Sequence, residues 1–246
     1  MGRLVILSGP SCVGKGPLYA ALKKFYPHIA GRLSRFVLYD SRAPRPGEVD
    51  GIDYHFRCRD EIEAVREQPH IHVFSVRNDL QAMDTQELER SLAASDVFFE
   101  GNPFIGSGLI EFVRTRGVSS LSVFLSPLTG EEIVELKGRA PTVSVPEFVT
   151  DVMRRKLLRR TKRQKGILSR EDLENIEVRA QSAHSEMQQA WRFDHVIACH
   201  DGEDSENWDA FYHPIGDARR AVQAFAALLE GNRPDGVETW GPDIIG

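Results

Sequence analysis

A glycine-rich segment near the start of the chain, residues 9–15, carries residue types that bind phosphate. It reads Gly-Pro-Ser-Cys-Val-Gly-Lys and stands between the apolar run Leu4–Ser8 and a stretch of helical periodicity. Between a strand and a helix, this spacing turns successive backbone N–H groups toward an anion, and Lys15 can reach the outer phosphates of a nucleoside triphosphate. The sequence therefore predicts an ATP-phosphate site made of Gly9, Ser11, Cys12, Val13, Gly14, Lys15 and Gly16.

The residue after the lysine departs from the usual motif. Where a hydroxyl would help to hold Mg²⁺, the chain has Gly16, and Pro17 follows it. Because Mg²⁺ keeps much of its hydration shell, it can still be held through water. Glu100, at the end of the apolar run Val97–Phe99, is placed to do so at the carboxyl edge of a parallel sheet. The alternative for Glu100 is a strand-terminating surface carboxylate. We expect weakened affinity for metal or ATP.

Alternating apolar strands and helical segments must position this site. Such alternation predicts an α/β fold with a mostly parallel sheet and helices on both faces. The predicted strands are 4–8, 97–99, 121–125 and 195–198, and the predicted helices include 15–25, 110–114 and 130–136.

The predicted elements form one domain with two interruptions. A polar, turn-rich stretch at about 35–95 predicts a small lobe, and the stretch at about 136–175 predicts a mobile lid or insertion. The core would then comprise about 1–34, 96–135 and 176–230, and the last residues, 231–246, would form a loose tail.

Composition narrows the class of protein. The chain has 246 residues, 41% of them hydrophobic, and a formal net charge of −5. This charge gives no overall attraction to nucleic acid, so nucleic acid is not the expected partner. Apolar runs of about five residues are far shorter than the roughly 18 that a membrane span needs. The three widely spaced cysteines fit a reducing cytoplasm.

Two charged clusters stand out from this average. Residues 154–165 contain eight cationic side chains and no acid. They predict either an anionic or protein partner or a solvated helix face. Residues 201–206 contain a cluster of acidic side chains. We favour a solvated loop over a metal site for this segment.

The most distinctive stretch is Ser41–Phe56, which reads SRAPRPGEVDGIDYHF. Arg42 and Arg45, three positions apart and stiffened by prolines, suit bidentate capture of a phosphate, to which Tyr54 adds a hydroxyl donor. This stretch and SGPSCVGKG at 8–16 resemble, in order and spacing, the two phosphate-binding segments of the guanylate kinase family.

The resemblance implies a P-loop NTPase fold with an acceptor-binding lobe and a lid. It implies transfer of the γ-phosphoryl group of ATP, with Mg²⁺, to GMP. By matching positions, Arg42, Arg45 and Tyr54 would hold the acceptor phosphate, and Arg139 and Arg179 would be the catalytic lid arginines that act with Lys15. Such arginines stabilise charge on the transferred group.

The base-reading half of the pattern differs. The family reads the base with a carboxylate and a tyrosine-rich segment. In this chain His72 stands at the position of the carboxylate and Gln81 at that of a tyrosine. Met83 stands where the family has a serine, and Leu38 stands near another of the family's serines. The acceptor could therefore be a monophosphate other than GMP, because lost hydrogen bonds to a buried base reduce discrimination. A module that has lost turnover and recognises a nucleotide or protein is the alternative.

The lid is also unusual. Forty positions separate Arg139 from Arg179, more than the family's lid allows. Either the cationic segment enlarges the lid or one of the two arginines is misassigned.

Overall fold

The molecule is organised around a six-stranded sheet. A computed structural model describes residues 2–45, 47–139 and 142–245, so that Pro46 of the second phosphate segment and Pro141 of the insertion lie outside the described residues. The strand order is β10-β9-β8-β1-β7-β2, and all neighbours are parallel except β10 and β9. The strands are β1 (Leu4–Ser8), β2 (Leu33–Arg35), β7 (Asp96–Gly101), β8 (Ser120–Ser126), β9 (His195–Ala198) and β10 (Val237–Glu238).

The predicted α/β fold with a mostly parallel sheet is confirmed. Each of the four predicted core strands lies in this sheet, and the helix predicted over 15–25 spans Lys15–Phe25. The continuous apolar run at 4–8 is buried at every position, as a strand covered on both faces requires.

Helices cover both faces of the sheet. Phe98 of β7 stacks on Tyr19 and contacts Phe225, whereas Ser8 of β1 lies against Gly106. Ser8 pairs with Gly101, which is three positions beyond Phe98 on β7. Because side chains alternate between the two faces along a strand, Ser8 and Phe98 point to opposite faces of the sheet. The helices are α1 (Lys15–Phe25), α2 (Pro27–Ala30), α3 (Arg59–Ala64), α4 (Thr85–Ala94), α5 (Pro103–Thr115), α6 (Gly130–Gly138), α7 (Val145–Lys165), α8 (Arg170–Gln181), α9 (Ala183–Met187) and α10 (Gly216–Leu229).

A second, four-stranded sheet forms a small lobe within the predicted range 35–95. Its order is β4-β3-β6-β5, with β3 at Tyr39–Asp40, β4 at His55–Phe56, β5 at Ile71–Val76 and β6 at Asp79–Asp84. The antiparallel hairpin of β5 and β6 turns at residues 77 and 78, where Val76 pairs with Asp79. The lobe has its own small apolar cluster, which contains Ile62, Leu80 and Ala82.

The two charged clusters of the sequence meet each other. Seven of the eight cations at 154–165, all but Lys162 among the described residues, lie within 4.0 Å of a carboxylate. Arg159 pairs with Asp204 at 2.7 Å and Arg160 with Glu203 at 2.6 Å. The expectation of a solvated acidic loop is wrong, because the side chain of Asp204 is only 5% exposed. A partner for the cationic segment stays a prediction.

The expected loose tail at 231–246 is also wrong. Val237 and Glu238 form β10 on the outer side of β9, and Trp240 and Ile245 are buried in the main core. The side chain of Glu238 accepts hydrogen bonds from the backbone N–H of Gly130 and from the indole of Trp240. Apolar burial and these hydrogen bonds fix a segment whose glycines and proline suggested freedom.

Among the described residues, no helix combines the length and apolar character that crossing a membrane requires.

Candidate active site

The loop at 9–14 joins β1 to α1 in a backbone conformation built on glycine. Gly14 has φ +114°, and a Cβ there would lie 2.9 Å from the carbonyl oxygen of Asp201 and 3.0 Å from the Trp208 ring. Cys12 also has a positive φ, +69°, with its thiol buried. The side chains of Cys12 and Val13 are therefore structural, and these residues can meet a ligand only through their backbone.

The backbone amides at the start of α1 are available to an anion. Within the described chain, no acceptor lies within hydrogen-bond distance of the N–H groups of Gly14, Lys15 or Gly16. Lys15 Nζ donates to the carbonyl oxygens of Gly9 (2.7 Å) and Pro10 (2.8 Å), and burial lowers the pKa of its ammonium group. Free amides at a helix start together with a buried lysine make an anion site.

Arg179 of α8 lies beside this loop. Its Nε donates to the Ser11 hydroxyl at 3.0 Å, and the residue is only 8% exposed. Among the described residues, no carboxylate lies within 4.0 Å of its guanidinium. Burial, together with Arg160, Arg45 and Arg77, lowers the pKa of Arg179 well below its ordinary value. A buried cation without a counter-ion is costly unless an anion binds beside it.

Arg160 of α7 and Glu203 also line the cleft. Glu203 is drawn to the loop because its N–H donates to the carbonyl oxygen of Cys12. Burial alone would raise the pKa of Glu203, but Arg160 and Lys15 outweigh burial and lower it. Glu203 therefore carries a negative charge in the cleft at neutral pH.

Glu100 lies at the carboxyl end of β7, next to the lysine. Burial raises its pKa, against the opposing effect of Lys15. A Cβ added to Gly16 would lie 3.9 Å from Glu100 Oε1. The residue expected to hold Mg²⁺ through water thus faces the position that lacks the hydroxyl.

The second phosphate segment supplies the opposite wall. Arg42 packs over the Tyr54 ring, 5.1 Å from its centroid, and makes a two-pronged ion pair with Glu48 at 2.6 and 2.8 Å. Arg45 reaches Glu48 only at 3.9 Å, and 47% of its side chain is exposed. Arg42, Arg45 and Tyr54 all line the cleft with Lys15. The structure brings these predicted residues together.

The base-reading region of the same wall contains acids. Gln81 lies in the cleft and donates to the carboxylate of Asp40 at 2.7 Å, and Asp40 is fully buried. Asp40 also accepts the N–H of Arg42, while burial raises its pKa. Asp79, at the start of β6, also lines the cleft, and no ion pair holds it within the described residues.

Two predicted site residues lie elsewhere. Arg139 is just beyond the last residue of α6, where its side chain is 63% exposed and pairs with Glu135. His72 is exposed near the outer end of β5. It is four residues from Val76, which lines the cleft, or about 13 Å along a strand. Neither Arg139 nor His72 lines the cleft in this structure, and their assignment to the site stays a prediction.

Arg77, Asp79 and Arg160 are among the cleft residues that the sequence did not reveal. Arg160 was hidden in a cationic run that suggested a solvated face, and Asp79 adjoins a hairpin turn whose position fixes it in the cleft. Arg77 occupies that turn, which no motif marks. The available signal for Arg160 was the gap of forty positions between Arg139 and Arg179, because a longer lid can contribute further arginines to the cleft.

The core sheet, the glycine loop ending in Lys15 and the cleft between loop, lobe and α7–α8 define an α/β protein of the P-loop NTPase class. The structure resembles that of a guanylate kinase from Anaplasma phagocytophilum, with a TM-score of 0.54 at 17% identity over 94% of this chain and 85% of that one.

Sequence comparisons show a likeness to the same family. Residues 1–96 match the family model for guanylate kinase. The chain is 30% identical over 156 residues to guanylate kinase 1 of rice (Oryza sativa subsp. japonica), covering 61% of this chain and 38% of the relative. It is 32% identical over 145 residues to guanylate kinase of Rhodococcus jostii, covering 56% of this chain and 65% of the relative. The chain therefore spans less than two thirds of these relatives. Over its first 96 residues the chain is thus similar to the guanylate kinase family, and over the whole structure it shares that family's fold.

Proposed function

We propose that the chain is an ATP-dependent phosphotransferase of the guanylate kinase type, which moves the γ-phosphoryl group of ATP to a nucleoside monophosphate. The observation that carries this proposal is the buried Arg179, which has no counter-ion in the described structure and lies beside the glycine loop. The family relatives, all named guanylate kinases, support the same reaction.

The two walls of the cleft would bind different substrates. The amides of the glycine loop and Lys15 would hold the ATP phosphates, and Arg45 with Tyr54 would hold the acceptor phosphate. An acceptor phosphate oxygen then forms a bond to the γ-phosphorus, while the bond to the β–γ bridging oxygen breaks and its electron pair leaves on ADP. Lys15 and Arg179 stabilise the charge on the moving group.

Magnesium fits the cleft incompletely. When bound, it would neutralise charge on the ATP phosphates. Glu100 lies where it would hold the ion through water, but Gly16 offers no hydroxyl beside it. We infer that the metal is held more weakly than a hydroxyl at position 16 would hold it.

The acceptor base would meet an amide and carboxylates. Asp79 and Gln81 line the cleft beyond Tyr54, and a carboxylate accepts hydrogen bonds from adjacent N–H donors. We propose a purine monophosphate that carries such donors, with GMP as the first to test. A cytoplasmic location is also proposed, supported by the free state of Cys12, Cys58 and Cys199.

A second candidate is a binding module without turnover. Gly16 and Pro17 favour it, because neither can contact a metal or phosphate through a hydroxyl. The module would retain a nucleotide or protein partner.

Transfer from ATP to a panel of GMP, dGMP, AMP, UMP and CMP separates these candidates. We expect turnover with a purine acceptor, and Arg179→Gln should lower kcat by about 10³-fold or more. Arg170→Gln is the matched control, since Arg170 lies on the same helix with 92% of its side chain exposed. Binding of ATP without transfer to any acceptor would instead establish the module, and unchanged turnover in Arg179→Gln would refute the assigned role.

A further inference from the structure

Arg77 occupies the two-residue turn between β5 and β6 in a left-handed conformation. Its φ is +58°, a region that residues other than glycine, asparagine and aspartate rarely adopt. Such a backbone persists where the surrounding structure fixes it, and in enzymes it concentrates at functional sites. The turn projects the arginine out of the small lobe.

The side chain of Arg77 crosses from the lobe to the glycine loop and to the start of α9. Its terminal NH2 group donates to the Ser11 hydroxyl at 3.1 Å and to Glu186 Oε1 at 2.7 Å, and its Nε donates to the Ser182 hydroxyl at 3.1 Å. The other terminal nitrogen has no acceptor within the described residues, and the side chain lines the cleft. One donor edge of the guanidinium is thus available to a ligand.

Glu186 holds the guanidinium in place from behind. The carboxylate is 1% exposed, and the same oxygen that accepts from Arg77 also accepts from Asn102 (3.0 Å) and Ser182 (3.0 Å). The ion pair joins the lobe to α9, so that Arg77 cannot swing away without leaving a buried charge unpaired.

Two guanidinium groups meet at one neutral hydroxyl. Arg77 and Arg179 both donate to Ser11 Oγ, the first from the lobe and the second from α8. Two like charges this close to each other repel, and Glu186 neutralises only one of them. A phosphate bound next to Ser11 would neutralise the other and take up the free donors of both arginines.

We propose that Arg77 binds the phosphoryl group that is transferred, so that the acceptor lobe supplies a guanidinium opposite Arg179 of α8. This inference rests on the proposed function and adds a residue to it. Arg77 belongs to the lobe that holds the acceptor. Its contact with the γ-phosphate therefore makes the position of this lobe depend on whether ATP is bound.

The test uses Arg77→Asn, because asparagine tolerates the left-handed turn and removes only the guanidinium. Arg66→Asn is the control, since Arg66 is exposed in the same lobe and its side chain pairs with Glu63. Thermal unfolding is measured first, and Arg77→Lys provides a second variant that keeps the charge. Affinities for ADP and for a non-hydrolysable ATP analogue are then compared, followed by kcat and KM for both substrates.

We expect Arg77→Asn to lose about tenfold or more in affinity for the ATP analogue, to keep its affinity for ADP, and to lose 10²-fold or more in kcat. Arg77→Lys should recover part of both losses. Equal losses for ADP and the analogue, or unchanged kcat and unchanged analogue binding, would overturn the inference. Wild-type protein that binds neither nucleotide and turns over no acceptor would overturn the proposed function itself.

Discussion

A hydroxyl introduced at position 16 gives the sharpest test of the proposed metal site. Gly16 is the second residue of α1 and lies outside the left-handed region, so that a serine fits the backbone. Its Cβ would be 3.9 Å from Glu100 Oε1, an ordinary contact distance. The change Gly16→Ser therefore adds a metal ligand without displacing a neighbour.

The expected gain in affinity for Mg·ATP follows from the charge of the metal ion that the new hydroxyl would contact. An interaction of a hydroxyl with a charged group contributes about 1.5–3 kcal/mol, so that Mg·ATP should bind about tenfold to a hundredfold more tightly in Gly16→Ser. Replacing glycine within a helix should add about 0.5 kcal/mol of stability, which corresponds to about 1–2 °C in Tm for a chain of this size.

Calorimetric titration with ATP in the presence of Mg²⁺ and then of EDTA measures the effect. Gly138→Ser, at the last residue of α6 with no atom within 4 Å of the added Cβ, is the matched control and should change neither affinity. A gain of equal size in EDTA would show that the hydroxyl contacts phosphate rather than metal. No gain in either condition would refute the placement of the metal beside Gly16 and Glu100.

Four further outcomes are expected. Arg139→Gln should leave kcat within about twofold of wild type, because the side chain is exposed outside the cleft; a loss near the 10³-fold that a catalytic arginine contributes would contradict this placement. At pH 8 a thiol reagent should label only the exposed Cys58 in the native protein, since burial raises the pKa of both Cys12 and Cys199 to about 12; fast labelling of all three would be inconsistent with the fold. Since the unfolded thiols lose their protons near pH 9 and the buried ones do not, these two groups should lower the free energy of unfolding as pH rises from about 9 toward 12, as a series of denaturant titrations would measure. Trp240→Ala should cost about 3–5 kcal/mol and lower Tm by roughly 10 °C, and an unchanged Tm would mean that the C-terminal segment does not pack as described.

The elements that a local pattern defines were predictable. The run at 4–8 is apolar at four of its five positions, the glycine loop follows it, and Lys15 opens a helix that ends at Phe25. Period, turn chemistry and burial agree in this segment, so that the sequence alone predicts strand, loop and helix. The presence of Arg42, Arg45 and Tyr54 in one cleft with Lys15 was predictable for a different reason, since the three belong to one distinctive stretch.

Residues that reach the cleft from distant parts of the chain were not predictable in this way. Arg160 and Glu203 are 43 positions apart and meet only because α7 packs beside the loop at 201–206. Arg139 occupies the expected motif, but α6 ends before it and leaves it in solvent. A side chain's place in a cleft depends on tertiary packing, which neither spacing nor residue type encodes.

The short strand at Val237–Glu238 has a consequence for solubility. It runs antiparallel along β9 and occupies the hydrogen-bonding groups that this strand would otherwise present at the end of the sheet. An uncovered strand edge is a template for pairing with another molecule. We therefore expect the segment from Val237 onward to limit self-association of the protein. A version of the chain cut before Val237 should precipitate at concentrations where the longer one stays in solution.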